Sequence, residues 1–191
     1  PALKDRVYRI TGRLIAQAIK VRPETKGWDW SIKVIDDPKT VNAWAMAGGK
    51  MAIQLKATDD ELAQVLGHEI AHALANHSAE KMSVAMASSI GVVAVGVASK
   101  RKGLALTGAA LAAALAVQKP NSRTAESEAD RIGIELAAKA GYDPRAAITL
   151  WQKMAQAGGK GPPEFFSTHP SPENREKKLA EYVPQMMPYY E

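Results

Sequence analysis

Residues 58–82 read TDDELAQVLGHEIAHALANHSAEKM, and the pattern predicts one long helix from Thr58 to Met82. Thr58 and Glu61 have the spacing of a capping box, in which each side chain bonds the other residue's backbone N–H. Asp59 and Asp60 then place negative charge at the positive end of the helix dipole. Leu62, Val65, Leu66, Ile70, Ala73 and Leu74 recur at three- and four-residue steps, so one face is built for burial. Inside this helix lies His68-Glu69-Ile70-Ala71-His72. The two histidines stand one turn apart on one face, where both imidazoles can reach a single metal ion. Glu69 can reach a water at that ion without being a ligand. The pattern points to zinc hydrolase chemistry; the competing account is a chance match on an ordinary amphipathic helix.

A catalytic zinc takes three protein ligands and keeps an open position. A metzincin-type site needs a glycine three residues and a histidine six residues after the second histidine, and this chain has Ala75 and Ser78 there. A cysteine ligand is excluded because the chain has none. A carboxylate from a second helix remains. Such a helix is predicted from Arg123, after the break at Pro120 and Asn121, and is carried on by Ile132, Ile134, Leu136 and Ala137. Glu126 and Glu128 are its candidates. Glu126 and Asp130 share a face, so one carboxylate can bind metal while the other accepts a hydrogen bond from a ligand histidine's free ring nitrogen. Glu128 lies about 200° round the helix from Glu126 and reads, with Arg131, as an exposed charge.

The rest of the chain supplies a scaffold. At 191 residues, with 46% apolar and 24% charged residues, it is expected to form a single domain over residues 1–191 around one core. The net charge of +5 comes without a basic, aromatic-interleaved stripe, so no nucleic-acid partner is expected. The absence of cysteine removes disulfides but chooses no compartment. The chain starts at Pro1 with neither a charged n-region nor an apolar h-region, which raises the expectation that a signal or anchor is absent from it.

Residues 3–20 carry Val7, Ile10, Leu14, Ile15, Ala18 and Ile19 at helical spacing, ended by Pro23 and Gly27. Trp30–Ile35, Val41–Met46 and Lys50–Leu55 read as three short strands, with Gly48-Gly49 between the last two. The expected class is therefore α+β, mostly helical, with a small antiparallel sheet of about three strands packed beside the metal-binding helix. Its edge could accept an extended peptide by main-chain pairing, or could merely cover the helix. Met82–Ser99 and Gly103–Gln118 are free of charge and flank Lys100-Arg101-Lys102. They read as a buried or half-buried helical hairpin, with peripheral membrane contact through residues 82–118 as the alternative. Further on, Gly141 is a helix stop, and Asp143-Pro144 starts a helix whose core face is Ile148, Leu150, Trp151 and Met154. A last helix is predicted to be capped by Ser171 with Pro172 at its first position, and the shape after Pro184 is left open.

Four separated features give these residues a family likeness. They are Asn42-Ala43-Trp44-Ala45 with Gly48-Gly49; His68-Glu69-Ile70-Ala71-His72 with His77; Ser122-Arg123 with Glu126 and Ala129-Asp130; and Ser167-Thr168-His169-Pro170 with Arg175. The chain resembles the gluzincin-type zinc metallopeptidases of peptidase family M48, which include the CAAX prenyl proteases, the HtpX heat-shock proteases and the BepA/Oma-like quality-control proteases. The last feature points to the soluble bacterial BepA/Oma-like branch. Ala47 departs from the proline common in relatives at that position.

The resemblance implies a zincin-type domain with one Zn2+ per chain, held by His68, His72 and Glu126, with Glu69 as general base. It also places the loop around His169 near the metal. There His169 is a candidate oxyanion donor, or a plug in the open metal position; a plain surface histidine is the third account. Arg123 and Arg175 are candidates for orienting the carboxylates, or are surface pairs. His77, five residues past His72, is at the wrong angle for the same ion and reads as a packed or hydrogen-bonded histidine. The leading functional expectation is an endopeptidase acting on unfolded or misassembled proteins in the bacterial envelope, outside the cytoplasm. Its substrates would be bound as an extended strand along Asn42, Ala43, Trp44 and Ala45. The alternatives are a chaperone-like assembly factor with rare, gated proteolysis and a membrane-embedded protease.

Overall fold

The computed structural model describes residues 2–34, 42–46, 50–54, 57–76, 123–157 and 174–191. The chain opens with α1 (Ala2–Val21). Its buried stripe of Val7, Ile10, Leu14 and Ala18 follows the three- and four-residue steps of the sequence. A 3-10 turn, Pro23–Gly27, follows, and its Thr25 carbonyl accepts a 2.8 Å bond from the Trp30 indole.

Three strands follow: β1 (Ser31–Val34), β2 (Asn42–Met46) and β3 (Lys50–Gln54). The antiparallel sheet expected from the sequence is not what they form. The order is β1-β3-β2. β3 runs antiparallel to β2 but parallel to β1, with Ser31 opposite Lys50 and Val34 opposite Ile53. The sheet is therefore a small mixed one in a fold dominated by helix. Three antiparallel strands taken in chain order would have put β2 in the centre. Here β3 takes that place, which leaves β2 an edge strand among the described residues, beside α2.

The helix α2 spans Asp59–Leu74. Its capping box is formed: Thr58 N–H donates to Glu61 Oε2 at 3.0 Å, and Glu61 N–H donates to Thr58 Oγ1 at 3.2 Å. The helix ends earlier than the Met82 expected, because Asn76 adopts a left-handed φ of 56°, a conformation that asparagine tolerates and that closes a helix. The Arg22 guanidinium donates to the Leu74 carbonyl, putting positive charge at the negative end of the dipole. At the other end Asp59 accepts from Arg6, and from Arg9 at 2.7 Å.

Sequence periodicity suggests one buried face, but every residue of α2 from Glu61 to Leu74 is buried. The helix is enclosed by α1, β2, α3 (residues 123–139) and α4 (Ala146–Ala157). Burying polar groups all round demands partners. The Gln64 amide donates to the Asp143 carbonyl at 3.0 Å, and Asp60 accepts from Asp143 N–H at 2.9 Å. These bonds fix the connection between α3 and α4 against the start of α2.

α3 ends in a Schellman arrangement. Gly141 takes a φ of 86°, Tyr142 N–H donates to the Ala137 carbonyl at 3.0 Å, and Gly141 N–H to Ala138 at 2.9 Å. α5 spans Arg175–Tyr190 and continues through Pro184 and Pro188. Leu179 and Met186 are buried, with Tyr182 and Val183 packed on the same core. That apolar stripe offsets the carbonyl partners which the two prolines leave unmet. Asn174, left-handed at φ 61°, precedes Arg175 at the start of the helix. The helix start expected at Ser171 and Pro172, the hairpin of residues 82–118, His77 and Ala47 lie outside the described residues.

Candidate metal centre

The site is built where α2 crosses α3. His68 and His72, separated by one turn of α2, present Nε2 atoms 3.1 Å apart, with the rings edge to face at 86°. From α3, Glu126 brings Oε2 to 3.1 Å from His68 Nε2 and Oε1 to 3.2 Å from His72 Nε2. All three side chains are buried, Glu126 at 0% exposure. Among the described residues neither Glu126 oxygen has a hydrogen-bond partner, although both are buried.

Two imidazole nitrogens and a buried carboxylate converging within 3.2 Å of one another suit a cation. Tetrahedral ligands around zinc, at about 2.0–2.1 Å from the ion, lie about 3.3 Å from one another. The observed separations of 3.1, 3.1 and 3.2 Å are close to that edge. The residues present therefore fit a small divalent ion with nitrogen and oxygen ligands.

A second ring of side chains orients the first. Asp130, one turn beyond Glu126, places Oδ1 at 2.9 Å from His68 Nδ1. A carboxylate there favours a hydrogen on Nδ1, which leaves Nε2, on the Glu126 side of the ring, as the nitrogen available to an ion. Arg175 donates Nη2 to the same Asp130 oxygen at 2.5 Å and lies 3.8 Å from Glu126 Oε2. Its guanidinium stacks 3.5 Å over the Trp151 ring, and that indole meets the His68 ring edge to face at 5.9 Å.

Electrostatics separates the two imidazoles. Burial disfavours a charged His68, but Asp130 and Glu126 outweigh it and raise its pKa from 6.5 to about 9. Burial dominates at His72, next to the charged His68, and lowers its pKa to about 4. At Glu126 burial opposes ionisation, yet the two imidazoles hold the carboxyl far below the usual carboxylate range. These opposite directions favour a charged His68 beside a neutral His72 when no ion is present, and an ion held by the triangle would compete with the proton on His68 Nε2.

Of the residues singled out in the sequence, His68, His72, Glu126, Asp130 and Arg175 come together here, with Glu69 buried on the next step of α2. Arg123 is exposed at the start of α3, and Glu128 and Arg131 are exposed as expected. Asn42, Ala43, Trp44 and Ala45 form most of β2. His169 lies outside the described residues. The sequence reading assigned Trp151 to the core and passed over Gly67 and Gly133, which form the crossing itself. A Cβ built on Gly67 would sit 2.7 Å from the Gly133 carbonyl oxygen.

Comparison with known proteins agrees with this geometry. The pattern of Peptidase family M48 matches residues 1–183. The chain is 38% identical over 203 residues to the mitochondrial metalloendopeptidase OMA1 of Bos taurus, covering 96% of this chain and 39% of that protein. It is 40% identical over 163 residues to the OMA1 metalloendopeptidase of Schizosaccharomyces pombe, covering 82% and 47%. It is 32% identical over 189 residues to a putative beta-barrel assembly-enhancing protease of Vibrio cholerae, covering 92% and 38%. The chain thus spans between about two fifths and one half of the length of these relatives. With a two-histidine, one-glutamate cluster at its centre and this likeness along nearly its whole length, the chain belongs to the metallopeptidases of family M48.

Proposed function

We propose that this chain is the catalytic domain of a zinc-dependent endopeptidase, with His68, His72 and Glu126 as the metal ligands and Glu69 as the proton carrier. The observation that carries the reading is the triangle of His68 Nε2, His72 Nε2 and the Glu126 carboxylate, with sides of 3.1–3.2 Å between three buried side chains. Zinc is favoured over harder ions because imidazole supplies two of the three ligands. When bound, such an ion acidifies a water molecule and polarises a peptide carbonyl. Glu69, adjacent to a ligand on α2, takes the proton from the attacking water and passes it to the leaving amine. Asp130 holds His68 in the tautomer that binding requires, and Arg175 holds Asp130. His169 is proposed as a donor to the developing oxyanion.

The substrates proposed are unfolded or misassembled polypeptides, paired in extended form with β2, whose backbone is an edge of the mixed sheet among the described residues. An extracytoplasmic location is proposed with them, in line with bacterial relatives named for beta-barrel assembly. Relatives named mitochondrial supply the competing location. No helix among the described residues is long and apolar enough to cross a membrane.

The test compares the wild type with Glu69→Gln and Glu126→Gln. Glu69→Gln is expected to keep one zinc per chain, keep binding to an unfolded test protein and lose its cleavage. Glu126→Gln is expected to lose the metal as well. Metal-independent binding without chelator-sensitive cleavage in the wild type would replace this reading by that of an assembly factor, which the beta-barrel relatives' names also suit.

A further inference from the structure

We infer that Gly67 and Gly133 are positioning residues for the metal centre, and that the direct backbone contact between them sets the distance between the two helices carrying the ligands. The inference rests on the metal-site reading above. Gly67 directly precedes the ligand His68. Gly133 lies seven residues beyond Glu126, two turns along the same face of α3.

A Cβ built on Gly133 would lie 2.7 Å from the His68 backbone nitrogen, 2.8 Å from His68 Cα and 2.9 Å from the Gly67 carbonyl carbon. Ordinary contact at a Cβ begins near 3.4 Å, and atoms closer than 3.0 Å must move. All three are main-chain atoms in the middle of buried helices, so relief requires a helix to move rather than a side chain to rotate. The shortfall is several tenths of an ångström at the backbone of a ligand residue. Metal–ligand distances tolerate only about 0.2 Å. A shift that packing could absorb would still disrupt the ligand triangle.

The pair runs against local preference, since glycine in a helix interior is less favourable than alanine. The contact at Gly67 is milder: only the Gly133 carbonyl oxygen falls below 3.0 Å, at 2.7 Å, while the next atoms stand at 3.4 and 3.5 Å. The two positions therefore predict a graded effect.

The experiment measures zinc affinity by competition with a chromogenic chelator, and thermal unfolding of the metal-free protein, for five proteins. These are the wild type, Gly67→Ala, Gly133→Ala, Glu126→Gln and Leu136→Ala. Leu136 is buried in the same helix and is not among the atoms that a Cβ at either glycine would meet first, so its truncation is the control for lost packing. The expected result is affinity falling from wild type to Gly67→Ala to Gly133→Ala, by roughly tenfold or more at the last step, with metal-free unfolding no worse than in Leu136→Ala. Unchanged affinity in both alanine variants would overturn the inference, as would a loss matched by Leu136→Ala or a failure of both glycine variants to fold. Failure of the wild type itself to bind zinc, or equal binding by Glu126→Gln, would instead overturn the metal-site reading.

Discussion

Asp130 and His68 meet across the α2–α3 crossing, with Asp130 Oδ1 at 2.9 Å from His68 Nδ1, and both side chains are buried. With an ion at Nε2, this contact would keep the remaining hydrogen of the ring on Nδ1. An asparagine at 130 has nearly the same shape but removes the charge that both His68 and Arg175 face. Asp130→Asn is expected to weaken zinc binding about 10–100-fold. Cleavage should fall at limiting zinc and recover in part when zinc is in excess. Titration of activity against free zinc checks this, and an unchanged zinc dependence would refute it.

Arg175 is a buried cation, 5% exposed, fixed by Asp130 at 2.5 Å and by the face of Trp151 at 3.5 Å. Arg175→Met keeps much of the apolar stem but leaves Asp130 without its guanidinium. Removing one partner of a buried pair typically costs about 3–5 kcal/mol, and a loss of that order is expected in denaturant unfolding. Arg175→Lys should recover only part of it, because an ammonium lacks the flat face that stacks on Trp151. Full recovery by lysine would show that charge alone matters there.

The centre was readable in the sequence because its information is local. His68 and His72 share one turn, Glu126 and Asp130 share another, and the Thr58–Glu61 cap marks where the first helix begins. What escaped depends on contacts between distant segments. The placement of β3 between β1 and β2 is decided by pairing over about twenty residues, and alternation within each strand carries no record of it. The burial of α2 on all sides follows from how many elements surround it, whereas periodicity reports only its apolar stripe. Trp151 has the spacing of a core residue and is one; its contact with His68 arises from the approach of α4. Gly67 and Gly133 did leave a trace, since a glycine inside a strongly helical run marks a packing or functional reason. The helix stop at Asn76 was also available in principle, as asparagine is a common left-handed cap.

Removal of the metal should cost stability as well as activity. A ligand that binds only the folded state stabilises it by about 4 kcal/mol when its concentration is a thousand times its dissociation constant. A strong chelator is therefore expected to lower the melting temperature of the wild type, and added zinc to restore it. In Glu126→Gln the melting temperature should respond to neither. An equal response in that variant would place the stabilising ion elsewhere.

The last prediction concerns pH and a group away from the metal. Glu61 is buried, yet it accepts from Thr58 N–H at 3.0 Å and from the Thr149 hydroxyl at 3.2 Å, and pairs with Lys153 at 2.7 Å. Burial raises its pKa, but Lys153, the Thr58 N–H and Thr149 together outweigh that and leave it below 4.5. A carboxyl whose folded pKa is depressed contributes stability above its unfolded pKa and loses it as pH falls through the folded value. Glu61→Gln retains an acceptor for the cap and removes only the charge, so at neutral pH it should melt below the wild type. The gap should narrow as pH drops below 4.5 and close once Glu61 is protonated in both states. Lys153 is more than half exposed, so the gap at neutral pH should be modest and should shrink further in high salt. A gap that stays constant from neutral to acidic pH would show that the glutamine alters packing rather than charge.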